Sequence, residues 1–237
     1  MLKCTVCLAE NDDFSTSCTK CKAFLQDRVP NLNLFETGWQ VIESPAEAFR
    51  KITLAEHKNY VFFLFSILGV SLSFTVFWYL RLGTRFESLL DLIPSAVGIG
   101  IAFGLVAAIV VTGVYHLLAK MMGGMTGFRG SLGVLGYSMT PVAFALILIL
   151  PIELLTFGMY LFTGNPNPYM MKPVSYVLLI GFDALIAVWT LALAVVATRV
   201  GHQLSTAKSM IVVFATLGLF IVGLFFMAYQ LRLVDQV

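Results

Sequence analysis

Hydrophobic positions gather into five long runs, approximately residues 59–80, 92–118, 131–162, 173–198 and 209–231, separated by short polar or Gly/Pro-containing segments. Each run is near or above the ~20 residues that a helix needs to cross a ~30 Å hydrocarbon core. The pattern predicts an all-α polytopic membrane protein built as a five-helix transmembrane bundle. The third run organises the rest, because it carries Gly136, Tyr137, Pro141, Pro151 and Glu153 inside an aliphatic stretch. An unbroken helix over it would be roughly 48 Å long, so it must tilt, kink or begin in the interface. Pro141 cannot donate to the carbonyl of Tyr137, nor Pro151 to that of Ile147, and both freed carbonyls need other partners at membrane depth.

Ahead of the runs the pattern changes. Residues 1–25 hold all four cysteines, as Cys4-x2-Cys7 and Cys18-x2-Cys21. Two such turns can converge four thiolates on one ion, so a small zinc-ribbon knuckle with a structural Zn2+ is expected, against disulfides, an iron centre or an empty site. With no fifth ligand candidate the site is expected to be closed and non-catalytic. So short a segment cannot bury a core, and a metal would supply most of its folding free energy. Residues 26–43 read as a linker with turn chemistry at Pro30-Asn31. Ser44-Pro45-Ala46-Glu47 then has the form of a helix start with a capping box. Over 44–58 it puts Ala48, Phe49, Ile52 and Ala55 on one stripe, which predicts an amphipathic interfacial helix or an extension of the first span. Residues 59–232 form the membrane domain.

Composition and charge narrow the function. The chain has 237 residues, 59% of them hydrophobic and 12% charged, which excludes an ordinary soluble globule. Residues 1–40 carry a net charge of −1, so the knuckle lacks the basic footprint of nucleic-acid binding and no nucleic-acid partner is expected. The first residues do not read as a cleavable leader, and the N-terminus is expected to be retained. With the N-terminus inside, the inner flanks carry seven Lys/Arg (Arg50, Lys51, Lys58, Lys120, Arg129, Arg199, Lys208) and the outer flanks four (Arg81, Arg85, Lys172, Arg232). This predicts an inner-membrane protein with a cytoplasmic N-terminus and an external C-terminus. It also places the cysteines in a reducing compartment.

Candidate chemistry inside the membrane is sparse. Gly100 and Gly104 form a G-x-x-x-G that allows close helix contact, within the monomer or in a homo-oligomer. Glu153 and Asp183 each lie about 15 Å in from the loop joining the third and fourth runs. They could face each other across consecutive helices and share a proton as a cation, proton or lipid-headgroup site. Otherwise each serves a local carbonyl or bonds Thr156, Tyr160 or Tyr176. His57, His116 and His202 are expected as interfacial residues unless they gather around a metal. Trp78, Tyr79, Tyr115, Tyr169 and Tyr229 fit an aromatic belt. No nucleophile triad, phosphate loop or dinucleotide fingerprint is present, and no enzyme is expected.

Three segments in order carry a family resemblance. They are Pro45-x3-Phe49-Arg50, Gly136-Tyr137-x3-Pro141, and the polar stretch His202-Gln203-Leu204-Ser205-Thr206-Ala207-Lys208. Over residues 40–232 the chain resembles the Yip domain family of five-span membrane proteins. For the eukaryotic members the resemblance implies vesicle trafficking and membrane organisation without catalysis. This chain lacks their Asp-Leu-Tyr-Gly-Pro stretch and has the cysteine knuckle instead. It is more similar to the prokaryotic type, in which a zinc ribbon would recruit a cytoplasmic protein partner to a lipid-embedded adaptor. The reading set against this one is a small transporter, channel or lipid-handling protein using Glu153 and Asp183.

Overall fold

The computed structural model describes residues 2–230 apart from Asp13, Asp27 and Arg28, with side chains as far as Phe226. Arg28, Arg232 and the side chain of Tyr229 therefore lie outside the described residues.

The chain opens with a two-stranded antiparallel ribbon, β1 (Leu2–Lys3) against β2 (Glu10–Asn11), with Leu2 opposite Asn11. Residues 34–43, expected as linker, instead form a helix, α1 (Leu34–Glu43). The local signal is Asn33, whose side-chain oxygen accepts from the backbone N–H groups of Phe35 and Glu36. Helix α2 (Pro45–Leu54) follows, and here the capping-box expectation fails: Ser44 sits at the cap but its side chain makes no capping bond. The α2 stripe of Ala48, Phe49, Ile52 and Ala55 is buried, at most 5% exposed, inside the main core against α5 and α9. The lipid-facing role expected of that stripe is thus corrected. Nor is α2 an extension of the first span, because it ends at Leu54, before α3 (Val61–Tyr79) begins. On α1, Phe35 and Trp39, four positions apart, are both exposed.

Among the described residues, five helical segments are long and apolar enough to cross a membrane: α3, α4 (Leu89–Met121), residues Thr140–Phe162, α9 (Pro173–His202) and α10, which runs Thr206–Gln230 and qualifies over Thr206–Phe226. The third run is not one rod. Its first part is the buried helix α5 (Phe128–Ser138), which ends before the span and packs on α9 and α4. The span itself runs through α6 (Thr140–Phe144), a π-turn at Ala145–Ile149, α7 (Leu150–Phe157) and a 3-10 turn at Gly158–Phe162. The two prolines sit at these seams. The Thr140 hydroxyl donates to the Tyr137 carbonyl that Pro141 leaves free, at 2.7 Å. Ahead of Pro151, the Leu150 N–H reaches back five residues to Ala145, which is the π pattern. A short helix α8 (Pro168–Met171) closes the loop into α9.

The tightest contact is α3 on α4. Gly69, Gly100 and Gly104 let the two backbones meet: a Cβ on Gly69 would lie 2.7 Å from the Gly104 Cα, and one on Gly104 2.8 Å from the Ser66 Cα. The G-x-x-x-G face is therefore occupied within the chain. Gly136 serves the same purpose against Val61 and Phe65. Nearby, the Tyr137 hydroxyl donates to the Asn59 carbonyl at 2.8 Å and ties α5 to the start of α3.

A candidate metal centre and a polar cavity between the spans

The four cysteines converge. Their sulfurs all lie within 4.8 Å of one another, with Cys4 Sγ 3.5 Å from Cys21 and Cys7 Sγ 3.5 Å from Cys18. These separations are far beyond the ~2.05 Å of a disulfide. They suit the ~3.8 Å edge of a tetrahedron with ~2.3 Å metal–sulfur bonds. The two halves are built alike. Cys4 N–H donates to Ala9 and Cys18 N–H to Ala23, and Leu8 and Lys22, next to the second cysteine of each pair, are left-handed at φ 58° and 59°. Those turns point backbone N–H groups at the thiols. The Cys7 amide is the main influence holding Cys4 below its ordinary value, and the Cys21 amide the main one bringing Cys18 down to about 6. At Cys21 the Ala23 amide also pulls downward, but the thiols of Cys7, Cys4 and Cys18, together with burial, push the group up to about 12. Four thiolates this close need a cation, and the residues present fit a tetrahedral one.

Asn11 completes the centre, and no spacing in the sequence announced it. It is buried, its amide nitrogen lies 3.6 Å from Cys18 Sγ, and its oxygen accepts from both the N–H and the hydroxyl of Thr19. The module is fastened to the bundle at the loop between α9 and α10, where Gln203 Nε2 donates to Asp12 Oδ1 at 3.0 Å. A second tie runs from Arg50 Nη2 on α2 to Gln26 Oε1 at 3.3 Å. Val6, Leu8 and Phe24 remain open, at 72%, 76% and 65% exposure.

The same end of the bundle holds a polar cluster. Lys58 Nζ donates to the carbonyls of Ile52, Thr53 and Ala55, closing the C-terminus of α2. Burial pushes its ammonium down to about 8. Ser131 Oγ lies 2.8 Å from His116 Nδ1 and 3.0 Å from His202 Nε2, bridging α4, α5 and α9. His202 is fully buried, so its expected interfacial position is corrected, and His57 is exposed and does not join. Tyr115, expected in the aromatic belt, is likewise buried and donates to Thr198 at 2.9 Å. Sequence separation hid these pairs, since Ser131 and His202 are 71 residues apart.

At the middle of the bundle, Glu153 and Asp183 come within interaction range of each other and line one cavity of about 590 Å3. It opens because α9 makes no extensive contact with α3 or α4 among the described residues. Of the local partners considered for the acids, the Thr156 hydroxyl donates elsewhere, to the Ile152 carbonyl at 2.6 Å.

The sequence profile of the Yip1 domain matches residues 39–227. The chain belongs to the Yip1 family. The match takes in α2 to α10 and begins after the four-cysteine module, which the Yip1 domain therefore does not include. Within the Yip1 domain lie the α3–α4 glycine contact, the Ser131 cluster and the Glu153–Asp183 cavity. No curated protein matches, and no solved structure does.

Proposed function

We propose that this Yip1-family membrane protein is a non-enzymatic adaptor whose knuckle holds a structural zinc ion at the cytoplasmic face of the inner membrane and offers an apolar surface to a protein partner. The observation that carries the reading is the contrast on the knuckle itself. It is tied to the bundle through Asp12–Gln203 and Arg50–Gln26, so its position is set by the membrane domain, yet Val6, Leu8 and Phe24 stay exposed. Isolated exposed apolar residues are ordinary, but three of them on a module of about two dozen residues give it a face suited to an aliphatic or aromatic partner surface. The excess of Lys/Arg on the flanks of the knuckle end supports a cytoplasmic N-terminus.

The test is crosslinking and affinity capture from native membranes with the intact chain and with Val6→Asp/Leu8→Asp. The adaptor reading expects a partner with the first and loss of that partner with the second, at unchanged zinc content. Equal capture by both would overturn it. A second reading, a small transporter, channel or lipid-handling protein, is favoured by the acid pair in the cavity. It is separated from the first by Glu153→Gln/Asp183→Asn, which should abolish flux in reconstituted vesicles and leave capture intact.

A further inference from the structure

We infer that the cavity between α3, α4, the third span, α9 and α10 is a binding site for a single-chain lipid alcohol drawn from the surrounding bilayer, with its hydroxyl on the Glu153–Asp183 pair. The inference rests on the membrane placement of these helices and not on the adaptor reading.

The volume, about 590 Å3, falls in the ~300–1,000 Å3 range of pockets that hold small organic ligands. Its walls are mainly apolar, with residues such as Leu72, Leu146 and Ala187. An apolar ligand surface is therefore matched over most of the site. The rim includes exposed residues, Thr75 on α3 and Ala184 on α9, so the space communicates with the outside of the bundle at the depth of the spans, where the neighbouring molecules are lipids. Some polar groups of the lining are satisfied within the protein, Thr75 donating to Ser71, Tyr115 to Thr198 and Thr216 to Val212, but others lack partners. Thr190 is 7% exposed, lines the cavity, and its hydroxyl has no hydrogen-bond partner. The Trp78 indole N–H lines the same space and is also unpartnered. Thr190 lies seven residues after Asp183, two turns along the same side of α9 and roughly 10 Å away.

Buried hydroxyls and indole N–H groups almost always find a partner, and an acid pair at membrane depth is costly without one. A hydroxyl brought in from the lipid phase supplies that partner to the acid pair. Carboxyl oxygens accept, so the polar end that meets the acid pair must donate. A hydroxyl or an ammonium does this, and an ether does not. The neutral hydroxyl also avoids carrying a full charge to the level of Asp183.

The test uses the full chain reconstituted in phosphatidylcholine vesicles. Three photoactivatable diazirine probes of equal chain length are compared: a primary alcohol, its methyl ether and the corresponding primary amine. The alcohol should label peptides of residues 140–162 and 173–202 about tenfold more than the ether, the difference one hydrogen bond to a carboxylate makes. Glu153→Leu/Asp183→Leu should bring the two to the same level. Ala187→Trp, which narrows the cavity from α9 one turn beyond Asp183, should abolish labelling by both while zinc content and melting temperature stay unchanged. Equal labelling by alcohol and ether in the native chain overturns the proposal, as does stronger labelling by the amine or undiminished labelling of Ala187→Trp.

Discussion

Alanine at Gly100 places a methyl group where α3 already runs. The new Cβ would stand 2.8 Å from the Val70 N and 2.9 Å from the Gly69 carbonyl oxygen, and alanine at Gly104 would stand 2.8 Å from the Ser66 Cα. Ordinary contact begins near 3.4 Å, so each methyl is more than half an ångström too close to backbone. Backbone in a helix cannot swing aside as a side chain can, so α3 and α4 must separate along their most extensive interface. Overpacking of this kind costs ~1–3 kcal/mol per site. Glycine-to-alanine substitution returns up to ~1 kcal/mol of helix propensity, which makes the choice of control decisive. Gly98 and Gly113 lie on the same helix, and a Cβ there meets nothing within 4 Å. Melting of the purified full chain in mild detergent should therefore be about 2–12 °C lower for Gly100→Ala or Gly104→Ala than for the alanine controls at Gly98 and Gly113. For Gly98→Ala and Gly113→Ala it should hold or rise. Equal melting of Gly100→Ala and Gly98→Ala would refute the packing argument, and a change confined to oligomeric state would place the glycine face between chains.

Three further outcomes follow from the site. Zinc should be present at one ion per chain by elemental analysis and be lost from Cys4→Ser/Cys18→Ser, with proteolysis then cutting within residues 2–26 while helical circular dichroism persists; metal-free wild type that resists proteolysis there would contradict this. Because burial lowers Lys58 from 10.5 to about 8, the folded chain binds that proton less tightly than the unfolded chain does, so stability is lowest below pH 8 and rises toward pH 10.5; the rise should be measurable by melting in the wild type and absent in Lys58→Met. Ser131→Ala removes the shared partner of His116 and His202 and should cost ~1–3 kcal/mol in denaturant unfolding, whereas replacing the exposed His57 should cost nothing measurable.

What was legible in the sequence had local or strongly periodic causes. Five apolar runs, the paired C-x2-C turns and the breaks at Pro141 and Pro151 each announce themselves within a few residues. The failures share a different origin. Helix α1 escapes the pattern because the turn residues ahead of it, Pro30-Asn31, favour a linker reading, while the cap that starts it is the single residue Asn33. The apolar stripe on α2 was assigned to lipid because periodicity reports that a face is buried and not what buries it; here the cover is α5 and α9. For Tyr115 and His202 the same ambiguity ran the other way, since amphipathic residues near span ends suit an interface, yet both are enclosed by partners from other helices. Whether Glu153 and Asp183 share a cavity depended on helix rotation, which equal depth along two spans cannot fix. Asn11 and the Asp12–Gln203 tie had no signal, the latter joining residues 191 positions apart.

The adaptor account is tested most directly by residue-specific photo-crosslinking in native membranes, with a photoreactive amino acid placed at Leu8 on the knuckle and, in a second chain, at Leu155, which is 89% exposed on the third span. The account predicts one discrete protein adduct from position 8, lost when Cys4 and Cys18 are replaced by serine, and lipid adducts alone from position 155. A protein adduct from position 155 together with none from position 8 would contradict it and move the function into the membrane domain.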